Sequence, residues 1–208
     1  MTEEGREIVR NYLYGESNIP PAYLKSKIEL IPEKVDVPAF IRLKNIHDDC
    51  SRFVKQHWNL NLYSSNVGNG KTSWAIKIMK NFIDSYACNC GNYDCLFINV
   101  PEFMMMGKNF SDPTAQQQFN SLKNRAMTAS LVIFDEIASK RSSEFDEQLL
   151  YTLINYRINN QKSTIYTSNV LPDELRNMLG ERIADRISGA PNTANIELKG
   201  GSRRNTTF

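Results

Sequence analysis

No stretch of this 208-residue chain stays apolar over a membrane-spanning length, and its opening, Met-Thr-Glu-Glu-Gly-Arg, is too polar for a secretory signal. A cytoplasmic protein with no membrane partner is the expectation. Strong net charge is missing as well. With 25 Lys+Arg against 23 Asp+Glu the balance is +2, so any nucleic-acid surface has to be local. There is no internal repeat and no low-complexity tract. Cysteine is sparse: four residues, with Cys88, Cys90 and Cys95 spaced C-x-C-x₄-C and Cys50 apart from them. A reducing cytoplasm disfavours disulfides, which leaves two readings. One is a zinc site completed by Cys50 or His47; the other, suited to the atypical spacing, is a polar loop bounded by ordinary thiols.

What is present is an ordinary globular composition, 41% hydrophobic and 23% charged, at a length that suits one domain with a substantial core. Residues 1–38 read as an arm: Pro20, Pro21, Pro32 and Pro38 interrupt a segment with one short helical stretch near residues 3–14. From Ala39 onward apolar positions suggest one or two helices leading to a strand at Leu60, Leu62 and Tyr63. Ala75, Ile76, Met79, Phe82, Ile83 and Tyr86 then recur at steps of three and four, one face of a helix. Apolar runs at Cys95–Val100, Leu131–Phe134, Ser163–Ser168 and Ile196–Leu198 read as further strands, with helices between. The region 144–159 has helical spacing, and short helices fill roughly 172–188. Strands alternating with helices predict an α/β fold, a parallel sheet covered on both faces.

Between the first strand and the first core helix stands Ser65-Asn66-Val67-Gly68-Asn69-Gly70-Lys71-Thr72. The phosphate-loop pattern G-x-x-x-x-G-K-[ST] is met at Gly70, Lys71 and Thr72, while Ser65 replaces the first glycine. Gly68 and Gly70 let the backbone close around phosphates, and the helix starting near Lys71 aims unpaired N–H groups at an anion. Lys71 can reach the outer phosphates and Thr72 can ligate Mg²⁺, with Asn66, Val67, Asn69 and Ser73 completing the nucleotide contact. The alternative is a Gly/Asn-rich turn that happens to end in Gly-Lys-Thr.

Asp135 and Glu136 follow four apolar residues, which puts two carboxylates at the carboxyl end of a buried strand, the ligand edge of an α/β sheet. Beside Thr72, Asp135 suits the Mg²⁺ shell and Glu136 the activation of a water. Asn169 ends the fourth strand, where it is either a turn residue or a contact to the γ-phosphate or the attacking water. Arg182 and Arg186 lie four apart on one helix face, which suits a pair of surface arginines balanced by Glu181 and Asp185 or, alternatively, the stabilisation of phosphoryl charge.

Taken together and in order, S-N-V-G-N-G-K-T, L-V-I-F-D-E, Y-T-S-N and G-E-R-I-A-D-R-I resemble the DnaC/DnaI-type replicative helicase loaders, AAA+ ATPases related to the IstB-like transposition ATPases. The likeness covers about residues 39–204. It implies a P-loop AAA+ core with a five-stranded parallel sheet in the order 5-1-4-3-2, no C-terminal helical lid, and an AAA+ domain over residues 39–208. It also implies Lys71 and Thr72 as Walker A, Asp135 and Glu136 as Walker B, and Asn169 as sensor 1. Arg186, with Arg182 as second candidate, becomes an arginine finger acting across a subunit interface. By the same resemblance Arg203 is a candidate nucleotide or interface contact, and the 1–38 arm is a candidate helicase-contacting segment, shorter than the corresponding domain of cellular loaders and closer to phage-type members.

The activity implied is slow ATP hydrolysis, with ATP and Mg²⁺ as cofactors and stimulation by DNA or a partner. The partners implied are a replicative ring helicase, single-stranded DNA and further copies of the chain. For the DNA, Lys108, Phe110, Lys123 and Arg125 follow the second strand and combine charge with an aromatic face. A transposition ATPase and a non-catalytic adaptor that blocks a helicase stand as alternatives.

Overall fold

In the computed structural model, which describes residues 2–25, 32–87, 94–109, 111–139 and 143–203, five parallel strands form one sheet in the order β2-β3-β4-β1-β5. The strands are β1 (Asn59–Tyr63), β2 (Cys95–Asn99), β3 (Leu131–Asp135), β4 (Ser163–Ser168) and β5 (Thr193–Glu197). Read from the other edge, this is the order that the resemblance implied. β5 starts three residues earlier than its apolar run suggests, because Thr193 to Asn195 pair in register with Asn59 to Asn61 of β1. β2 ends at Asn99, whose side chain accepts the Glu102 N–H and starts the next helix.

Alternation along the strands builds two cores, as side chains of successive residues point to opposite faces. Leu60, Leu62, Phe97, Leu131, Ile133 and Ile165 face one core, which is covered by α3 (Val37–Asp48), α4 (Cys50–Lys55) and α5 (Lys71–Ala87). Leu96, Ile98, Val132, Phe134 and Tyr166 face the other, under α6 (Val100–Gly107), α7 (Pro113–Thr128), α8 (Glu144–Asn159), α9 (Pro172–Leu179) and α10 (Glu181–Ser188). α8 begins with a capping box: the Ser143 hydroxyl accepts the Asp146 N–H, and the Asp146 carboxylate accepts the Ser143 N–H. On its buried side Arg157 is fully enclosed. It donates to the carbonyls of Ala126, Ala129 and Ser163 and to the Thr164 hydroxyl, so it ties the end of α7 to the start of β4.

Ahead of Ala39, α1 (Glu3–Glu16) packs on α5 and is followed by α2 (Pro21–Lys25). The Tyr14 hydroxyl donates to Asp84 at 3.0 Å. Ser17 and Ile19 are buried, and the open edge of the sheet is paired there: Phe97 donates its N–H to the Ser17 carbonyl at 2.8 Å and accepts from the Asn18 side chain at 3.1 Å. A 3-10 turn, Lys34–Asp36, leads into α3 and buries the Asp36 carboxylate. No helix among the described residues is long and apolar enough to cross a membrane.

Candidate functional site

The octet that resembles a phosphate loop joins β1 to α5, and its two inner glycines carry positive φ, +73° at Gly68 and +101° at Gly70. Residues with a Cβ adopt that backbone only at a cost, which is why glycine stands at these two positions. α5 starts at Lys71, so the N–H groups of its first turn face the space enclosed by the loop. The Lys71 ammonium is folded into the loop, donating to the Asn66 carbonyl at 2.8 Å and to Asn69 Oδ1 at 3.2 Å. Asn69 is itself buried, held by Nδ2 bonds to Ser64 Oγ at 2.7 Å and to the Leu198 carbonyl at 3.1 Å. Val67 is exposed at the rim, and Ser73 is half-buried on the first turn of α5.

Asp135 closes β3 directly opposite Thr72. One carboxylate oxygen, Oδ1, accepts the Thr72 hydroxyl at 2.8 Å and the Thr167 hydroxyl at 2.6 Å. Burial pushes the Asp135 carboxyl up from the ordinary range, against the two hydroxyl bonds, of which Thr167's is the stronger influence. The Thr167 oxygen also accepts the Glu136 N–H at 3.0 Å, and the Thr167 carbonyl accepts the Ile137 N–H at 3.0 Å. Thr167 thereby fixes both acidic residues. Glu136 sits at φ +57°, a left-handed conformation that non-glycine residues seldom adopt, and this turn brings its side chain to the lining of a cleft.

That cleft, about 430 Å³, is lined by Thr72, Asp135 and Glu136, by Phe97 and Asn99 of β2 and Glu102 of α6, and by Asn18–Pro21 and Tyr23 from the segment after α1. A hydroxyl and a carboxylate, both oxygen donors, suit a hard divalent cation such as Mg²⁺, so the residues present fit that ion. Asn169 follows the last residue of β4, between β1 and β3 in the sheet, and is half-buried. It therefore shares the sheet edge with the phosphate-loop residues and the two acids.

Arg182 and Arg186 lie on α10, away from β3. Arg182 is exposed beside a hollow of about 280 Å³ between α8 and the α9–α10 turn. Arg186 is held within its own chain. Its guanidinium lies 4.6 Å from the Tyr151 ring, donates to Tyr151 Oη and Asn155 Oδ1 at 3.0 Å each, and reaches the Arg182 carbonyl at 3.3 Å. The basic residues singled out for DNA do not gather in one place. Lys108 pairs with Asp146 at the start of α8 at 2.8 Å. Arg125 lies at the opposite end of β2, where Asp94 receives both Nε and Nη2, at 3.2 and 2.8 Å, and raises the guanidinium's proton affinity. Lys123 is half-buried on α7, and Phe110 lies outside the described residues. Of the cysteines, Cys50 and Cys95 are buried free thiols and Cys88 and Cys90 lie outside the described residues; among those described, no cluster of three metal-ligating side chains occurs.

Thr167, Asn99 and Glu102 were not among the residues that the sequence singled out. The threonine carries one usable signal, a hydroxyl two residues before Asn169 at the end of a strand that the motif order places beside β3.

No family model matches the chain. It is 25% identical over 132 residues to the replicative helicase loader DnaC of Buchnera aphidicola subsp. Schizaphis graminum (strain Sg), a match to 61% of this chain and 49% of that protein. To the replicative helicase loader DnaI of Bacillus subtilis (strain 168) it is 30% identical over 86 residues, 40% of this chain and 26% of that one. The chain thus spans half or less of the curated relatives it matches. A crystal structure of the DnaC helicase loader superposes with a TM-score of 0.65 at 19% identity, over 85% of this chain and 99% of that one. AMPPCP-bound DnaA from Aquifex aeolicus superposes at 0.63 and 18% identity, over 90% and 54%. At those identities the superpositions establish the fold, a P-loop AAA+ core. Sequence and fold agree on the group that the chain resembles.

Proposed function

From the likeness to the DnaC/DnaI-type replicative helicase loaders, we propose that this chain is an ATPase that delivers a replicative ring helicase to single-stranded DNA. The observation that carries the reading is the shared Asp135 oxygen, which binds the Thr72 hydroxyl of the phosphate-loop helix and the Thr167 hydroxyl beside Glu136. It brings a loop suited to phosphates, a metal-suited oxygen pair and a candidate general base to one sheet edge. Further support comes from named relatives, which are helicase loaders, and from a structural neighbour that is bound to AMPPCP and single-stranded DNA.

In this reading the backbone around Gly68 and Gly70 encloses the β- and γ-phosphates and Lys71 turns from Asn66 and Asn69 toward them. Thr72 and Asp135 would hold Mg²⁺, which would neutralise phosphate charge when bound. Glu136 accepts a proton from the attacking water, and its constrained backbone presents the carboxylate to the cleft rather than to the core. Asn169 orients that water or the γ-phosphate. Arg186 acts on the nucleotide of a neighbouring copy, which makes self-association a condition of hydrolysis, and Arg182 is the second candidate for that role. Residues 1–38 form the helicase-contacting arm and residues 39–208 the ATPase domain. Lys123 is the best placed of the basic residues to meet single-stranded DNA, since Lys108 and Arg125 already hold carboxylate partners.

The test is transfer of a hexameric replicative helicase onto circular single-stranded DNA, read as unwinding of an annealed strand. Loading by the wild type with ATP and its loss in Lys71→Ala is the expected result. Equal loading without ATP and by Lys71→Ala refutes the proposal, and binding to the helicase that only suppresses unwinding points to the adaptor reading.

A further inference from the structure

Beyond the end of β5 the chain returns to the phosphate loop, and the contacts it makes there come in two tiers. On one side the loop holds the tail by side-chain amides. Asn66 Nδ2 donates to the carbonyls of Lys199 at 2.9 Å and Gly200 at 3.1 Å, and Asn69 Nδ2 donates to the carbonyl of Leu198. The Arg203 N–H donates to the Gly68 carbonyl at 2.8 Å. On the other side the turn before α3 holds the same residues by their N–H groups. Asp36 receives Lys199 N–H on Oδ1 at 2.7 Å and Gly200 N–H on Oδ2 at 3.0 Å, and Glu33 receives Gly201 N–H at 3.1 Å.

Residues 198–203 are therefore clamped between an acidic turn and the phosphate loop. The clamp is tight. Asp36 is 1% exposed, and a Cβ on Gly200 would come within 2.5 Å of Asp36 Oδ2 and 3.2 Å of the Glu33 carboxylate. Both carboxylate oxygens of Asp36 are used by consecutive backbone N–H groups, a charge-assisted pair stronger than neutral hydrogen bonds. An asparagine there can satisfy only one of the two and turns a donor toward the other. The Asn66 and Asn69 atoms that reach the tail belong to the two residues that also bind the Lys71 ammonium, through the Asn66 carbonyl and Asn69 Oδ1.

We infer that Asp36 is a positioning residue of the nucleotide site: through residues 198–203 it holds Asn66 and Asn69, and with them the phosphate loop, in the shape that receives the phosphates. The inference rests on the ATP-binding reading above and extends it to residues outside the motif. It also accounts for the two asparagines at positions where the motif accepts any residue. Each amide side chain is a tether from the loop to the tail. Because coupling between two sites is reciprocal, ATP binding in turn tightens the tail on the Asp36 turn, which leads directly into α3.

Two measurements on the full chain test this. Amide hydrogen exchange without nucleotide reads the clamp itself: Asp36→Asn and, from the other side, Gly200→Ala raise exchange across residues 66–70, while the protein keeps a cooperative thermal transition. Equilibrium binding of ATP-Mg²⁺ reads its consequence. Asp36→Asn weakens binding by about five- to thirtyfold, in the range typical of couplings between sites. In an Asn66→Ala background the same change weakens it less than about twofold further, as two residues in one network are not additive. A merely structural role lowers the thermal midpoint but leaves the affinity of the folded protein and the 66–70 exchange as in the wild type; that result overturns the inference. So does full additivity with Asn66→Ala. Lys71→Ala is run beside them: loss of binding there with wild-type binding by Asp36→Asn sinks the positioning role alone. Binding by Lys71→Ala equal to the wild type sinks the ATP-site reading itself, and the role of Asp36 with it.

Discussion

Replacing Thr167 by valine keeps the shape of the side chain and removes one hydroxyl, and the structure gives that hydroxyl two partners. It donates to Asp135 Oδ1 at 2.6 Å and accepts the Glu136 N–H at 3.0 Å, in a place where Thr167 is 2% and Asp135 4% exposed. A hydrogen bond to a charged group contributes about 1.5–3 kcal/mol, and a buried donor left unpaired costs about 1–3 kcal/mol. The two overlap in one site, so a loss of about 2–4 kcal/mol is the working figure. At about 2–4 °C per kcal/mol for a chain of this size, the thermal midpoint falls by about 4–16 °C. The second effect is on protonation. Burial already raises the Asp135 carboxyl and the Thr167 bond opposes that rise, so Thr167→Val raises it further. If ionised Asp135 holds the metal, the acidic limb of ATP hydrolysis moves to higher pH in the variant. Thr167→Ser keeps the hydroxyl and restores both the midpoint and the limb. Calorimetry and a pH–rate profile on the three proteins decide the matter. A Thr167→Val protein that matches the wild type in both refutes the assignment of Thr167 as the residue that fixes the two acids.

Four other changes separate structural from functional roles. Asp135→Asn removes a buried carboxyl whose folded pKa lies above its unfolded value; such a group binds more protons when folded, so its contribution to stability falls as pH rises through that window. In nucleotide-free protein at neutral pH the asparagine variant is therefore more stable, and its stability falls less than that of the wild type as pH rises above the unfolded carboxylate range, although hydrolysis is lost; denaturant titration from acid to neutral pH checks it. Arg157→Met leaves the carbonyls of Ala126, Ala129 and Ser163 without their donor, and at about 1–3 kcal/mol for each group the midpoint drops by at least about 6 °C in a thermal melt. Lys123→Ala weakens binding to single-stranded DNA and lowers its salt slope by about 0.7, as the loss of one phosphate contact requires, whereas Arg125→Ala mainly destabilises the junction of α1, α7 and β2; fluorescence anisotropy at several salt concentrations distinguishes them.

Much of the fold was legible because its signals are local. The unbroken apolar run of β3, the helical spacing in α5 and α8, and the glycines of the phosphate loop each act within a few residues, and the structure places strands and helices where those patterns lie. Long-range pairings left no such trace. Asn66 meets Lys199 and Gly200 more than 130 residues away, and Asp36 meets the same pair from even further off. Thr167 reads in sequence as a β-branched strand former, and only the neighbouring position of β3 turns its hydroxyl toward Asp135. The positive φ of Glu136 has no sequence signal at all, since a glutamate predicts the opposite. For the basic residues the limit was electrostatic. Lys108 and Arg125 look available in a sequence that does not show their partners, Asp146 from α8 and Asp94 from the start of β2.

The central claim is that one site binds ATP through Lys71 and hydrolyses it through Glu136. Equilibrium binding of ATP-Mg²⁺ and turnover, measured together on the wild type, Lys71→Ala and Glu136→Gln, test it most directly. Tight binding by the wild type and Glu136→Gln, no binding by Lys71→Ala, and turnover by the wild type alone is the predicted pattern; wild-type binding retained by Lys71→Ala, or undiminished turnover by Glu136→Gln, contradicts it.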